Sequence, residues 1–374
     1  AYRGFESLPL RQLLVQAFVG ALKHSANARL TADCLPTLTW SNTMVDTMRA
    51  VILKSHGPAE GLVLGTSPLP EVGPEQVLIK VRAASVNRPD IMQREGNYPP
   101  PPGESDILGL EVAGTVATVG KEVTNWRVGD RVMALIGGGG YAEYASAHAG
   151  HVMRIPDILD FHQAACICET YITAYLNLFM LGGFSEGQFA LVHGGGGGVT
   201  TAAIQLSQVL IDEPRLIVTA STGKVERVRA QGVLYVVDYQ TTDFVDAVHE
   251  ITDARGVDLI LDHIGAEYLS RNMRALAVSG KMVLIGVMGG VKAELHLAQM
   301  LVKRQQILGS VLRPRPIAEK ASIISTFAAA VLPHFAQGSI VPLVHSVFSL
   351  GEAAEAHRLM ESSGHFGKIV LDMD

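Results

Sequence analysis

Along the chain, apolar and polar positions change rhythm once. From Met48 to about residue 160 the apolar stretches are short: Met48–Leu53, Gln76–Ala84 (with Val77-Leu78-Ile79-Lys80-Val81 inside it), Gly109 to Gly120, Arg131 to Leu135 and Tyr141–Ser146. Pro68, Pro70, Gly73 and Pro74 punctuate the gap between the first two. Short β-prone runs bounded by Gly and Pro predict strands, and several in succession predict a β-rich, barrel-like unit. From Phe161 onward, helical patterns alternate with buried runs. Phe189–His193, Leu216–Ala220, Leu234–Asp238, Asp258–Leu261 and Met282–Val287 read as five strands. Such alternation builds a parallel, doubly wound sheet, so the fold class is α/β. Past Arg313 the pattern gives one more helix and short strands ending at Lys368-Ile369-Val370-Leu371. This tail is expected to return to the first unit.

A length of 374 residues fits two domains, and 48% hydrophobic with 18% charged residues is enough to build a core. The net charge of -6, with no basic block, argues against nucleic acid as a partner. No apolar run reaches the ~18 residues of a bilayer span, so no membrane partner is expected. Three cysteines cannot frame a disulfide scaffold and suit a reducing compartment, hence a cytoplasmic location. Residues 1–47 differ from the rest. They carry Arg3, Arg11, Lys23 and Arg29, an apolar stretch from Leu13 to Leu22, few acids, and Ala26-Asn27-Ala28, which resembles a signal-peptidase site. They read either as a targeting peptide, which would make the location organellar, or as an untranslated leader ahead of Met48.

The strongest chemical signal is the run Gly194 to Gly198, placed after the strand that ends at His193 and before a helix-forming stretch from Val199 to Val209. Strand, glycine loop and helix together form the context of a dinucleotide site. Glycine lets the backbone approach the pyrophosphate, and the helix N-terminus offers free N–H groups and partial positive charge. Gly195, Gly197, Gly198 and Val199 are the expected contacts, with His193 a packed strand-end residue. The next strand, Leu216–Ala220, ends in Ser221-Thr222-Gly223-Lys224. An NAD site usually has an acidic residue there for the ribose 2′-hydroxyl; a hydroxyl and a cation favour a 2′-phosphate and therefore NADPH. Arg227 and Arg229 follow, and at least one reads as part of a solvated helix face.

Several motifs together resemble one family. Gly109-Leu110-Glu111 with Gly114 and Gly120 is similar to the medium-chain dehydrogenase/reductase pattern. Gly187-Gln188, Leu191, Gly195 to Gly198 and Gln205 resemble the quinone oxidoreductase signature. So do Asn87-Arg88-Pro89-Asp90, Gln93-Arg94, Tyr98 with its proline run, and Thr173-Ala174-Tyr175. The resemblance, to the zeta-crystallin-like NADPH:quinone oxidoreductases, runs from Met48 to about Leu371. It implies a GroES-like catalytic domain from 48–170 and 311–374, a Rossmann domain from 171–310, and a homodimer or homotetramer. It places Tyr98 at the substrate mouth, and Tyr98 and Asn87, which can bridge cofactor and substrate, are the catalytic candidates for the hydrogen bond to the acceptor's developing oxyanion; Thr173 would bind the cofactor, and Gly286 and Met288 would lie beside the nicotinamide. Tyr239 would neighbour the adenosine phosphate, and Arg313 and Lys368 would be tail contacts with the cofactor. Tyr98 can also simply pack on Pro99–Pro102, Asn87 can hold its own turn, and Arg313 and Lys368 can be solvated cations. Two departures stand out. Thr200 replaces a family glycine where strand and helix pack closely, and the loop is all glycine where relatives carry Ser or Ala.

No metal is expected. Zinc relatives have a Cys where this chain has Ser85-Val86-Asn87 and a His at Leu110, while Cys166 and Cys168 form a lone C-x-C pair. Glu111 then reads as a structural acid, partnered by an Arg. The resulting expectation is a zinc-independent reductase passing hydride from NADPH to quinones or related conjugated carbonyls. Alternatives are an enoyl or alkenal double-bond reductase, and a non-catalytic NADPH-binding protein.

Overall fold

The computed structural model describes residues 46–374, so the extension 1–47, save its last two residues, lies outside the described residues. The antiparallel pair β1 (Thr47–Leu53) and β2 (Leu62–Pro68) comes first. It is followed by β3 (Gln76–Val86), β4 (Glu111–Val119), β5 (Arg131–Leu135), β6 (Tyr144–His148) and β7 (Val152–Arg154). Six parallel strands come next: β8 (Phe189–Val192), β9 (Arg215–Ala220), β10 (Tyr235–Asp238), β11 (Val257–Asp262), β12 (Leu276–Leu284) and β13 (Gln306–Gly309). The chain ends with β14 (Val344–Ser349) and β15 (Lys368–Asp372).

The six parallel strands lie in the order β10-β9-β8-β11-β12-β13. This is the doubly wound Rossmann order, whose direction reverses beside β8. Ligands bind such sheets at the carboxyl ends of the strands flanking that reversal. All four residues of β8 are buried, which is why it reads as an unbroken apolar run. The sequence pattern predicts five strands in this sheet; β13 is the sixth. The strand expected at Met282–Val287 instead covers Leu276–Leu284; the Ile285 N–H still donates to Asp262 O at 2.7 Å along the ladder with β11, and the chain turns at Met288-Gly289.

The second sheet runs β14-β15-β3-β4-β5-β7, with β6 also paired to β3. Its long central strand, β3, pairs antiparallel with β4, β6 and β15. The tail therefore closes the barrel: Ile369 lies opposite Val86 and Val370 opposite Ser85. One apolar core joins the two sheets. Ala83, Met133 and Leu135 of the barrel share it with Val192 and Leu206 of the Rossmann unit and with Phe327 and Phe335 of the helix Ile317–Ala336. The barrel keeps a second core around Val77, Ile79 and Val112, and the far face of the parallel sheet a third around Leu191, Phe244 and Met282. Burial on both sides of the inter-sheet seam fixes the cleft walls against each other.

Candidate active site

Three helices frame the cleft: α1 (Arg88–Arg94), α2 (Thr170–Tyr175) and α3 (Gly198–Leu210). The glycine loop leads from β8 into α3. Gly194 and Gly196 have φ of +77° and +95°, conformations that only glycine adopts without strain. Gly195 N–H donates to Thr219 O at 2.7 Å and Gly197 N–H to Gly194 O at 3.0 Å, which pins the loop against β9. Gly197 is the N-cap of α3 and has no side-chain capping bond, so the first-turn donors of Gly198 and the half-buried Val199 face no side-chain acceptor. Thr200, the departure from glycine, is buried without conflict, and its hydroxyl donates to His193 O at 2.8 Å. His193 itself bonds Thr219 Oγ1 at 3.0 Å and Asn272 Oδ1 at 2.8 Å and packs edge-on against Phe244 and Tyr268. Burial lowers its pKa to about 3, so it is a neutral packing residue.

The tail segment crosses this loop. Gly367 N–H donates to Gly196 O at 2.8 Å, and a Cβ on Gly196 would stand 2.7 Å from the Phe366 ring and 3.0 Å from Lys224 Cδ. Arg227 stacks over Phe366 at 4.1 Å. Lys224 thus lies at the glycine loop, and burial, with Arg227 adding to it, lowers its pKa. Ser221 ends the same β9 turn, and the Tyr239 N–H donates to Ala220 O at 3.2 Å, which sets Tyr239, 40% exposed, beside it. His365 is buried with its Nδ1 unpartnered. Burial first, then the charges of Lys224, Arg88 and Lys368, hold its pKa at about 4. Free helix donors, a cationic field and an orphaned buried nitrogen suit a dinucleotide phosphate.

Gly286 and Met288 lie past the end of β12, in the loop that borders His263. Met288 N–H donates to His263 O at 3.1 Å, and its side chain is exposed. A Cβ on Gly194 would fall 2.5 Å from the His263 ring, so this histidine links the loop to the ends of β11 and β12. Its pKa is lowered to about 4 by burial, with Arg88 adding to it. The pattern analysis does not single out His263.

At the barrel end, Glu111 is the hub. It is buried and pairs with Lys368 Nζ at 3.1 Å, so its partner is a lysine and not the expected arginine. Asn87 Nδ2 donates to Glu111 Oε1 at 3.0 Å, Ser85 Oγ donates to the same oxygen, and Glu169 N–H donates to Oε2 at 2.8 Å. Lys368 Nζ also donates to Val86 O at 3.1 Å and to Asn87 Oδ1. Both ends of the Asn87 amide are therefore engaged within the cluster. Lys368 is 3% exposed and is no solvated cation. A Cβ on Gly198 would stand 2.7 Å from Lys368 Cδ and 2.9 Å from Thr170 Cγ2, so the start of α3 touches this cluster directly. Thr173, half-buried on α2, accepts from Asn177 through its carbonyl at 2.7 Å. Asp90 accepts from Asn87 N–H at 2.8 Å, Gly109 N–H at 3.0 Å and Tyr141 OH at 3.2 Å; burial nonetheless raises its pKa to about 6.

Arg313 is buried too, and its guanidinium serves the protein. It donates to Gly137 O at 2.8 Å, Gln93 Oε1 at 2.8 Å and Tyr98 O at 3.4 Å, and lies 5.2 Å from the Tyr98 ring. It therefore holds Tyr98 in place. The Tyr98 phenol is raised in pKa by burial and then by Glu169, against the pull of Arg313, so it stays protonated at neutral pH.

The donors present do not fit a catalytic zinc. Ser85 Oγ is bonded to Glu111, Leu110 is in the apolar interior, and Glu111 is neutralised by Lys368. Burial raises the Cys166 and Cys168 thiols, which disfavours the thiolate that a metal needs. Among the described residues no three His, Cys, Asp or Glu side chains group as a metal site, and no helix is long and apolar enough to cross a membrane.

Comparison with known proteins agrees with this geometry. Residues 73–157 match the alcohol dehydrogenase GroES-like domain and residues 231–371 the zinc-binding dehydrogenase family. The chain is 31% identical over 342 residues to the synaptic vesicle membrane protein VAT-1 homolog of Rattus norvegicus, covering 87% of this chain and 84% of that one. It is 33% identical over 330 residues to the quinone oxidoreductase of Lama guanicoe, covering 87% and 97%. A mycobacterial protein solved in complex with NADPH has a TM-score of 0.78 at 27% identity, covering 87% of this chain and all of that one. The chain belongs to the zeta-crystallin-like quinone oxidoreductase family of the medium-chain dehydrogenases/reductases.

Proposed function

We propose that this protein is an NADPH-dependent, metal-independent reductase acting on quinones or similarly conjugated carbonyls. The cleft would lie between a GroES-like unit (48–170 and 311–374) and a Rossmann unit (171–310), in a homodimer or homotetramer. The observation that carries the reading is Lys224 lying over Gly196, next to an uncapped helix N-terminus and a β9 turn without a carboxylate. The first-turn N–H groups of α3 hold the pyrophosphate. Lys224, Ser221 and Tyr239 hold the 2′-phosphate through charge-assisted hydrogen bonds. Bound NADPH supplies the hydride. Thr173, Gly286 and Met288 line the place of the nicotinamide, and Lys368 with Asn87 keeps the start of α3 against the barrel. Tyr98, protonated and braced by Arg313, offers a hydrogen bond to the oxyanion that develops on the acceptor. A conjugated acceptor spreads that charge itself, so alignment of donor and acceptor is the main task of the protein.

Fluorescence titration with NADPH and NADH, joined to turnover of small quinones, 2-alkenals and enoyl thioesters, tests this. NADPH should bind more tightly, and quinones should turn over after dialysis against a strong chelator. Lys224→Ala should cost about 1.5–3 kcal/mol of NADPH binding and leave NADH nearly unchanged. Turnover of alkenals or thioesters with inert quinones would make the protein a double-bond reductase. Binding without any turnover would make it a non-catalytic NADPH-binding protein.

A further inference from the structure

Arg313 and Lys320 are two neighbouring cations inside the protein with no carboxylate bonded to either. Each is 5% exposed, and among the described residues neither forms an ion pair. Arg313 is held by neutral acceptors alone: Gly137 O, Gln93 Oε1 and Tyr98 O. Lys320 lies in the first turn of the helix Ile317–Ala336. Its Nζ makes one long hydrogen bond, to Arg313 O at 3.4 Å, so its remaining N–H donors have no acceptor among the described residues. Buried charges are ordinarily paired, because taking each out of water is costly. The surrounding groups do not close this balance. Asp90, Glu104 and Glu169 act on the two cations only through space. Asp90 is already bonded to Asn87, Gly109 and Tyr141, and Glu104 rests against Gly137 on an exposed loop. His151, beside Lys320, is neutral and bonded to Ile317 O at 3.0 Å.

The pair is tied to the cleft. Gln93 belongs to α1, one of its walls, and the Arg313 guanidinium lies 5.2 Å from the ring of Tyr98, which is half-buried and leads into the exposed loop 102–106. We propose that Lys320, beside Arg313, seats a carboxylate on the acceptor, so that the preferred substrates are acidic conjugated carbonyls. The proposal deepens the reductase reading above and rests on it. An anion held at Lys320 would supply the missing counter-charge and anchor the acceptor close to the Tyr98 phenol. No bond forms or breaks at Lys320; it binds and orients. Burial lowers the pKa of both cations, a direction that a bound carboxylate would reverse.

Lys320→Met removes the charge and keeps most of the side-chain volume, while Lys320→Arg keeps the charge. Two matched pairs of acceptors read the seat with NADPH: 1,4-benzoquinone-2-acetate against its methyl ester, and trans-4-oxo-2-pentenoate against its methyl ester. Wild type should favour the acid of whichever pair it turns over. Lys320→Met should raise KM for that acid about 10–100-fold and leave kcat, turnover of the ester and NADPH titration unchanged. Lys320→Arg should recover most of the loss. Because methionine relieves a buried cation that has no ion-pair partner, the Lys320→Met denaturation midpoint should equal or exceed that of wild type. A wild type that treats acid and ester alike, or a Lys320→Met protein that keeps the preference, overturns the proposal while the reductase reading stands. So does a Lys320→Met protein with a lowered midpoint and the same loss on acid and ester, the mark of a structural lysine. Where neither pair turns over, calorimetry decides the seat by itself. Phenylacetate should bind wild type more tightly than phenylacetamide does, and this difference should vanish in Lys320→Met; no difference in wild type overturns the seat. Failure on every quinone, alkenal and thioester overturns the reductase reading separately.

Discussion

At the scale of single residues, the site shows how an ion pair can be built into a wall. Lys368 and Glu111 are both buried, 3.1 Å apart, and every oxygen of Glu111 is engaged. Bringing two charges out of water costs several kcal/mol, and their mutual attraction and hydrogen bonds return it only while both are present. Lys368→Met should therefore destabilise the protein by about 3–5 kcal/mol in chemical denaturation, because Glu111 is left buried and unpaired. Adding Glu111→Gln should recover most of that loss. A Lys368→Met protein within about 1 kcal/mol of wild type would show that the pair is solvated in solution. Sequence reading reaches Lys368 and Glu111 separately but not their contact. They are far apart in the chain and meet only because β15 pairs with β3 beside β4.

At the scale of elements, legibility followed burial. The core strands β8, β9 and β11 carry the unbroken apolar runs Phe189–Val192, Leu216–Val218 and Leu259–Leu261, so they show in the sequence. Of the strands at a sheet edge, β10 shows as the expected Leu234–Asp238, whereas β13, β14 and β2 do not. In β14 half-buried and exposed positions alternate, β13 has no fully buried residue, and β2 carries Gly65, Thr66 and Ser67. Without a buried face on both sides, their side chains need not be apolar. The glycine-loop helix is the opposite case, because turn and helix chemistry are local, and α3 begins within a residue of its expected start. Thr200 in its first turn is a departure that the structure absorbs. Its hydroxyl bond to His193 O would be lost in Thr200→Gly, at ~0.5–1.5 kcal/mol, and glycine inside a helix costs a few tenths of a kcal/mol more than threonine. Thr200→Gly should thus lower stability by roughly 1–2 kcal/mol and leave NADPH titration unchanged. A stabilised Thr200→Gly protein would show that the threonine strains the strand–helix contact.

At the scale of the whole molecule, buried ionisable groups set how stability depends on pH. Burial holds His151, His263 and His365 at about 4, and His193 and His357 at about 3, against an ordinary 6.5. Unfolding at pH values between these limits takes up protons on the histidines, so their contribution makes stability rise with pH up to about 6.5. The acids act in the opposite sense. Asp90 and Asp262 are raised to about 6 from 3.8, and Glu169 to about 8 from 4.5, so in those windows the folded state holds the extra proton and stability falls as pH rises. Near pH 5 five histidines oppose three carboxyls, a net uptake of about two protons on unfolding and a gain of roughly 2–3 kcal/mol per pH unit. Above about 7 the histidine and aspartate windows have largely closed, and of these groups Glu169 still titrates before about 8. Chemical denaturation across this range should therefore show stability climbing to a maximum near 7 and then declining gently, and Glu169→Gln should abolish the decline while leaving the climb. A flat or falling curve between about pH 4.5 and 6.5 would mean that the histidines reach water in the folded protein.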